Sequence, residues 1–471
     1  MSILTKYLAY VLIISAFFRI IPITAAFLYG ESPAGFVITF LLSLFLGIAL
    51  LWLDKRAQSR EFSLTLTKGL MLVALSFIIL PLIGAISFLP SFDYSILNAV
   101  FESVSGFTTT GLTLYTTLEG LPNSLLLWRA ETQWMGGIGI IMVFLFILSR
   151  LKSHTYMGAV EAETKTTMTL YEAQGFPERL EPGLRKTVTN IMLIYCGYTI
   201  VGIILLFIVG MPFFDSIAMT FTSLSTGGFT VRDDFYSNNL QLVVLCALML
   251  IGSISFIAHN KLIQKKFKEF LSAFEKNVFF VMLFIAILLA LFVYTDIKVV
   301  LFELISSFTT TGYSITNISL LPQLFIMLIM VCMVVGGNIA STAGGIKVFR
   351  VYYLVKAIPW LLKKLSSPAG AVVPFKIKDK PVEESDILIV GIFVTCYVLM
   401  LLIGTVVFML HGYNFLDSSF QVTSALGTVG LQTMELISLS WLCKTVLMVA
   451  MLLGRLEIFP LLILVRSLFK R

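Results

Sequence analysis

Four stretches, Ser105-Gly-Phe-Thr-Thr-Thr-Gly111, Thr222-Ser-Leu-Ser-Thr-Gly-Gly228, Ser306-Ser-Phe-Thr-Thr-Thr-Gly312 and Ser424-Ala-Leu-Gly-Thr-Val-Gly430, align without gaps. Each carries threonine two residues before glycine: Thr109-Thr110-Gly111, Thr226-Gly227-Gly228, Thr310-Thr311-Gly312 and Thr428-Val429-Gly430. One Thr-x-Gly is common and carries no information. Four at the same place in a recurring pattern, between a short apolar segment and a long apolar helix, define a repeat. Close packing of membrane helices also selects small residues, but at about every fourth position rather than in compact clusters. A dehydrated cation needs several oxygens at once, and backbone carbonyls from four loops can supply them. Glycine permits the backbone angles this requires, threonine adds a hydroxyl, and the C-terminal end of each preceding short helix favours a cation. The motif holds no carboxylate, so a weakly hydrated monovalent ion fits better than a divalent one.

Outward from these loops, apolar stretches of about 20 residues, the length that crosses a bilayer, alternate with polar clusters. Of 471 residues, 58% are hydrophobic and 13% charged, which excludes an ordinary soluble domain. An all-α polytopic membrane protein is expected. Two helices, near 6–29 and 34–53, come first. They read as a retained hairpin rather than a signal peptide, because the apolar run resumes after Arg19 and a second follows at once. Arg19 itself reads as structural. Then come four pseudo-symmetric helix, re-entrant loop, helix units around a central pore. Their first helices are expected near 66–90, 190–210, 277–297 and 385–410, and their second near 124–150, 239–258, 322–350 and 436–470. This divides the chain into an accessory hairpin at 1–60 and pore units at 61–150, 151–258, 259–350 and 351–471. The loop segments are too short to span, so their backbone must be buried in protein or line a wet cavity.

The net charge of +7 has a topogenic explanation and does not call for a nucleic-acid partner. With the N-terminus inside, the segments 54–68, 150–189, 259–276 and 347–384 and both termini hold 27 of 33 Lys and Arg. This places both termini in the cytoplasm, with the loops dipping from outside. The five cysteines have neither metal-like nor disulfide-like spacing, and His154, His259 and His411 lie too far apart in sequence for a local ligand cluster. Asp93, Asp215, Asp233, Asp234 and Asp417, near the outer face, read mainly as solvated residues or helix caps. No paired carboxylates or metal cluster suggest an enzyme.

A second level recurs 25 residues beyond the loop glycines: Gly136 after Gly111, Gly337 after Gly312 and Arg455 after Gly430. The stretch Gly336-Gly337-Asn338-Ile-Ala-Ser341-Thr342-Ala-Gly344-Gly345 is too polar for a lipid-facing helix and is expected to unwind. Arg455 is expensive in an apolar run unless it faces water, a carbonyl or a carboxylate. It reads either as part of a constriction that repels cations or as a structural pair with Glu457 or a neighbouring helix.

These residues, with Trp134-Met-Gly-Gly-Ile-Gly-Ile140 and Ser225-Thr-Gly-Gly-Phe229, resemble the Trk/Ktr/HKT superfamily of K⁺ channels and transporters, nearest to its bacterial TrkH-type members, over nearly the whole chain. The resemblance implies K⁺ as the transported ion, since glycine at all four positions goes with K⁺ selectivity and serine in the first loop with Na⁺ permeation. It implies a gate made by the third-unit loop and the fourth-unit arginine. It further implies a homodimer in the bacterial inner membrane and cytosolic nucleotide-binding RCK subunits of the TrkA kind, so that any nucleotide sits on a separate chain. A Na⁺-coupled Ktr-type transporter, or another secondary transporter with broken helices, is the alternative.

Overall fold

The computed structural model describes residues 3–56, 66–152, 184–368, 371–377, 380–382 and 384–469. Much of the basic segments 54–68 and 150–189, with His154, lies outside the described residues. Among the described residues, six helices are long and apolar enough to cross a membrane, and two further pairs of helices qualify jointly across sharp bends. Their outward faces carry the apolar side chains that lipid accepts: Ile200, Ile204, Phe284, Leu402 and Ile403 each stay more than half exposed. The only described strands form a small antiparallel hairpin, Phe375–Ile377 with Lys380–Val382, an addition to the expected all-α fold.

The accessory hairpin pairs Ile3–Phe18 and Ile20–Tyr29 with Ala34–Arg56. Gly47 has no room for a Cβ against Ile13, so the two arms approach at backbone distance. Arg19 interrupts the first arm and is fully buried, donating from Nη1 to the Ser15 carbonyl at 2.7 Å with its guanidinium 5.2 Å from the Trp128 ring. This is the structural role expected of it. Glu31, just past the turn, accepts from the backbone N–H groups of Asn123 (2.6 Å) and Ser124 (2.8 Å). It thus satisfies first-turn donors of a helix over 90 residues away in sequence.

Four units follow. Their first helices are Leu66–Gly84, Leu184–Ile208, Phe274–Leu291 and Glu384–Leu410. The short helices are Ile96–Phe107, Phe213–Leu224, Ile297–Phe308 and Phe415–Leu426, of 12 residues each. At 1.5 Å per residue that is about 18 Å, well short of the hydrocarbon thickness. Side-chain caps start two of them: Asp296 accepts from Lys298 N and Val299 N, and Asn414 from Asp417 N.

The second helices depart from expectation. The first runs unbroken over Asn123–Lys152. The second stops at Ser253 rather than 258 and turns by 100° into Phe256–Ile263. The third covers only Gln323–Val335, not 322–350, and gives way to coil until Val348–Leu365 begins. The fourth begins at Trp441 rather than 436, stops at Arg455, and turns by 107° into Phe459–Phe469. Before these breaks the second helices pass very close to the short ones. A Cβ on Gly136, Gly252 or Gly454 would collide with the carbonyl oxygen of Phe107, Leu224 or Leu426, each four residues before a loop glycine. Glycine at this register lets backbone meet backbone and seats these three short helices against their own second helices.

Candidate ion-coordinating ring and the coil on its threonine side

Each short helix ends in the same hydrogen-bond pattern. Thr110, Gly227, Thr311 and Val429 donate from N–H to the carbonyls of Ser105, Thr222, Ser306 and Ser424 at 2.8–2.9 Å, and the threonine before each donates three residues back at 2.9–3.2 Å. This is the paired cap in which the residue after the helix is left-handed, a position that glycine usually fills. Here it is threonine all four times: Thr109, Thr226, Thr310 and Thr428 have φ of 52°, 52°, 56° and 50°. A β-branched residue in that region costs on the order of 1–2 kcal/mol, so the surrounding structure must impose it. Two residues on, Gly111, Gly228, Gly312 and Gly430 have φ of 86°, 81°, 87° and 99°. All four threonines are fully buried.

The loops interlock in cyclic order. A Cβ on Gly111 would strike the carbonyl oxygen of Gly227, one on Gly228 that of Thr311, one on Gly312 that of Val429, and one on Gly430 that of Thr110. The middle residue of each Thr-x-Gly therefore presents its carbonyl to the glycine of a neighbour, second loop to first, third to second, fourth to third and first to fourth. The expected twelve residues come together as a closed ring of carbonyls in which a side chain at any glycine is excluded both by φ and by space.

The expected unwound stretch lies against the threonine side of this ring. Gly344 donates from N–H to Thr310 Oγ1 at 2.7 Å and has no room for a Cβ against Thr428 and Gly427, while Thr342 Oγ1 lies 3.3 Å from Thr226 Oγ1. Gly336 and Gly345, with φ of 70° and 76°, pack on each other where the chain leaves and rejoins regular structure. Much of the coil's backbone is satisfied from the bend in the second unit: Asn338 N donates to Ser253 O (3.0 Å) and Thr342 N to Gly252 O (3.1 Å), while Ala340 O accepts from Phe256 N (2.9 Å). Ile339 N donates to Glu275 Oε1 at 2.5 Å, and Ser341 Oγ turns back to Asn338 O. Both Asn338 side-chain amide atoms and the Thr109 and Thr428 hydroxyls are buried without a hydrogen-bond partner among the described residues.

Arg455, 4% exposed, donates to Thr342 O at 2.5 Å, Gly136 O at 2.7 Å and Gly137 O at 3.2 Å. It ties the coil to the first unit. Its anticipated partner Glu457 instead accepts from Arg350 Nη2 at 2.5 Å. The level 25 residues past the loop glycines is thus Gly136, Ser253, Gly337 and Arg455, and Ser253, the second unit's member, is legible from the same count (228 to 253). Three of the outer acids serve the scaffold: Asp215 takes a hydrogen bond from Arg232 at 2.5 Å, and Asp417 one from Thr433 at 2.6 Å. Asp233 accepts from Thr117 Oγ1 (2.6 Å) and Leu118 N (2.7 Å); partial burial pushes its carboxyl up, but these bonds and that from Glu119 N hold it below the usual range. Sequence reading missed three buried polar residues behind the ring, Glu102, Gln133 and Glu303, each fully buried.

Among known proteins, the chain is 32% identical over 458 residues to an uncharacterized cation transporter of Methanocaldococcus jannaschii, covering 96% of this chain and 92% of that one. It is 28% identical to the Trk system potassium uptake protein TrkH of Salmonella typhimurium, covering 99% of each. The crystal structure of the potassium transporter TrkH from Vibrio parahaemolyticus superposes over the whole of both chains with a TM-score of 0.85 at 26% identity. The model of the TrkH family, described as cation transport protein, matches residues 33–305 and 294–470. With its ring, coil and breaks set in that shared fold, the chain belongs to the TrkH family of cation transport proteins.

Proposed function

We propose that this chain is a K⁺-selective uptake subunit in which the four Thr-x-Gly loops form the selectivity filter and the coil 336–347 with Arg455 closes the path on its threonine side. The observation that carries this reading is the cyclic closure of four loops of identical backbone, each glycine seated against its neighbour's carbonyl. A carbonyl ring without acidic residues suits a monovalent cation, and glycine at all four positions suits K⁺, the ion named for the TrkH relatives. The division into an accessory hairpin and four pore units, the cytoplasmic termini, a homodimer in the inner membrane and RCK-type nucleotide-binding partners belong to the same proposal.

The test is flux of K⁺ and Na⁺ into liposomes carrying the purified chain, with ion replacement on each side. Gly111→Ser is expected to lower the K⁺ over Na⁺ ratio by roughly tenfold or more, because a side chain there displaces the Gly227 carbonyl. An unchanged ratio in folded protein removes the filter assignment. Dependence of K⁺ flux on Na⁺ or H⁺ would instead favour coupled transport.

A further inference from the structure

Nine residues before the four ring glycines stand Glu102, Met219, Glu303 and Gln421. Two are carboxylates, and both are fully buried. They do the same thing. Glu102 accepts from Thr113 Oγ1 at 2.9 Å and Leu114 N at 3.1 Å, and Glu303 from Ser314 Oγ and Ile315 N, both at 2.9 Å. These partners lie two and three residues past each glycine, where the chain leaves the ring without regular secondary structure.

The other two units reach the same end differently. Met219 has no hydrogen bond to offer, and the second loop is held from outside instead. Gln133 donates to Gly227 O at 2.6 Å and accepts from Phe229 N at 3.0 Å, and Arg129 donates to Thr230 O at 3.0 Å. In the fourth unit Gln421 makes only a long contact to Thr433 Oγ1, 3.4 Å, and Asp417 holds that hydroxyl. A buried carboxylate is unfavourable unless its hydrogen bonds fix something. Charge is not the shared element, for Glu102 is paired with Arg129 at 2.9 Å whereas Glu303 has no cationic partner among the described residues. Acceptance of two hydrogen bonds from the outgoing segment is.

We infer that Glu303, and with it Glu102 and Gln133, act as positioning residues that set cation discrimination by bracing the chain just beyond the ring glycines from behind. The inference rests on the filter reading above. Ring oxygens that are held in place cannot close around a smaller cation, so loosening the brace admits it. Glu303 is the informative member because it acts without an ion pair. Glu303→Met installs the residue that the second unit carries at this register, while Glu303→Gln keeps an oxygen able to accept both bonds.

The experiment measures the K⁺ over Na⁺ flux ratio of the full chain in liposomes, with Gly312→Ser as the reference for loss of the ring itself. Expected are a drop of roughly tenfold for Glu303→Met, on the scale of one buried hydrogen bond, and a ratio within about twofold of wild type for Glu303→Gln. Ser314→Ala, which removes one of the two bonds, falls between them and serves if the methionine variant does not fold. A ratio at the wild-type value in Glu303→Met, or in Ser314→Ala where it stands in, overturns the inference while Gly312→Ser lowers it. So does a glutamine variant that loses as much as methionine, which would make charge the active element. If Gly312→Ser also leaves the ratio unchanged, the filter reading has failed and the brace falls with it.

Discussion

Arginine 455 shows how one side chain can serve two purposes at one place. Its three bonds to the carbonyls of Thr342, Gly136 and Gly137 join the coil to the first unit, and its charge stands where the path is proposed to narrow. Two unit charges about 6 Å apart interact by roughly 3 kcal/mol at an effective dielectric near 20, about a hundredfold in rate. Arg455→Ala is therefore expected to raise K⁺ flux without regulator by ten- to a hundredfold, because it removes the charge and frees the coil together. Arg455→Lys keeps the charge but lacks the fork that spans two carbonyls, so its flux should lie between. If alanine lowers flux at unchanged protein level, the residue only supports the scaffold. Charge in an apolar run made Arg455 legible in the sequence, and repetition did the same for the Thr-x-Gly loops. Glu303 carries neither signal, since a single glutamate in a short helix looks like any other until its distance to Ile315 is known.

The breaks in the second helices were partly legible, and chemistry explains which part. Between Gly336 and Gly345 the density of glycine and polar residues announces an unwound segment. The bend after Arg455 depends on left-handed Glu457 and Ile458, φ 57° and 64°, and that after Ser253 on contacts to the coil; Gly454 and Pro460 flank the first bend and Gly252 precedes the second, but the turning residues themselves are neither glycine nor proline. The coil and the second-unit bend satisfy each other's backbone through Asn338 N to Ser253 O, Thr342 N to Gly252 O and Phe256 N to Ala340 O, so the two behave as one element. Shortening Asn338–Ala343 should raise K⁺ flux several-fold and make it less dependent on a cytosolic partner, if the coil fills the path. Flux at or below wild type from well-folded protein would make the segment structural.

Across the whole molecule, the accessory hairpin is tied to the first unit by Glu31 at the start of Asn123–Lys152 and by Arg19 against Trp128. Glu31→Ala should lower stability by about 1–2 kcal/mol, as for a lost helix cap, without altering the K⁺ over Na⁺ ratio. Thermal unfolding in detergent beside the flux assay checks both halves, and a changed ratio would mean that the hairpin reaches the ring. The ring has one further consequence. Because a single covalent chain supplies all four quadrants, Gly111, Gly228, Gly312 and Gly430 can be changed one at a time, and each change strikes a different neighbour's carbonyl. An assembly of four identical subunits repeats every substitution fourfold, but this chain is addressable quadrant by quadrant. Probes placed singly at the four edges would report on four chemically distinct walls around the proposed ion path.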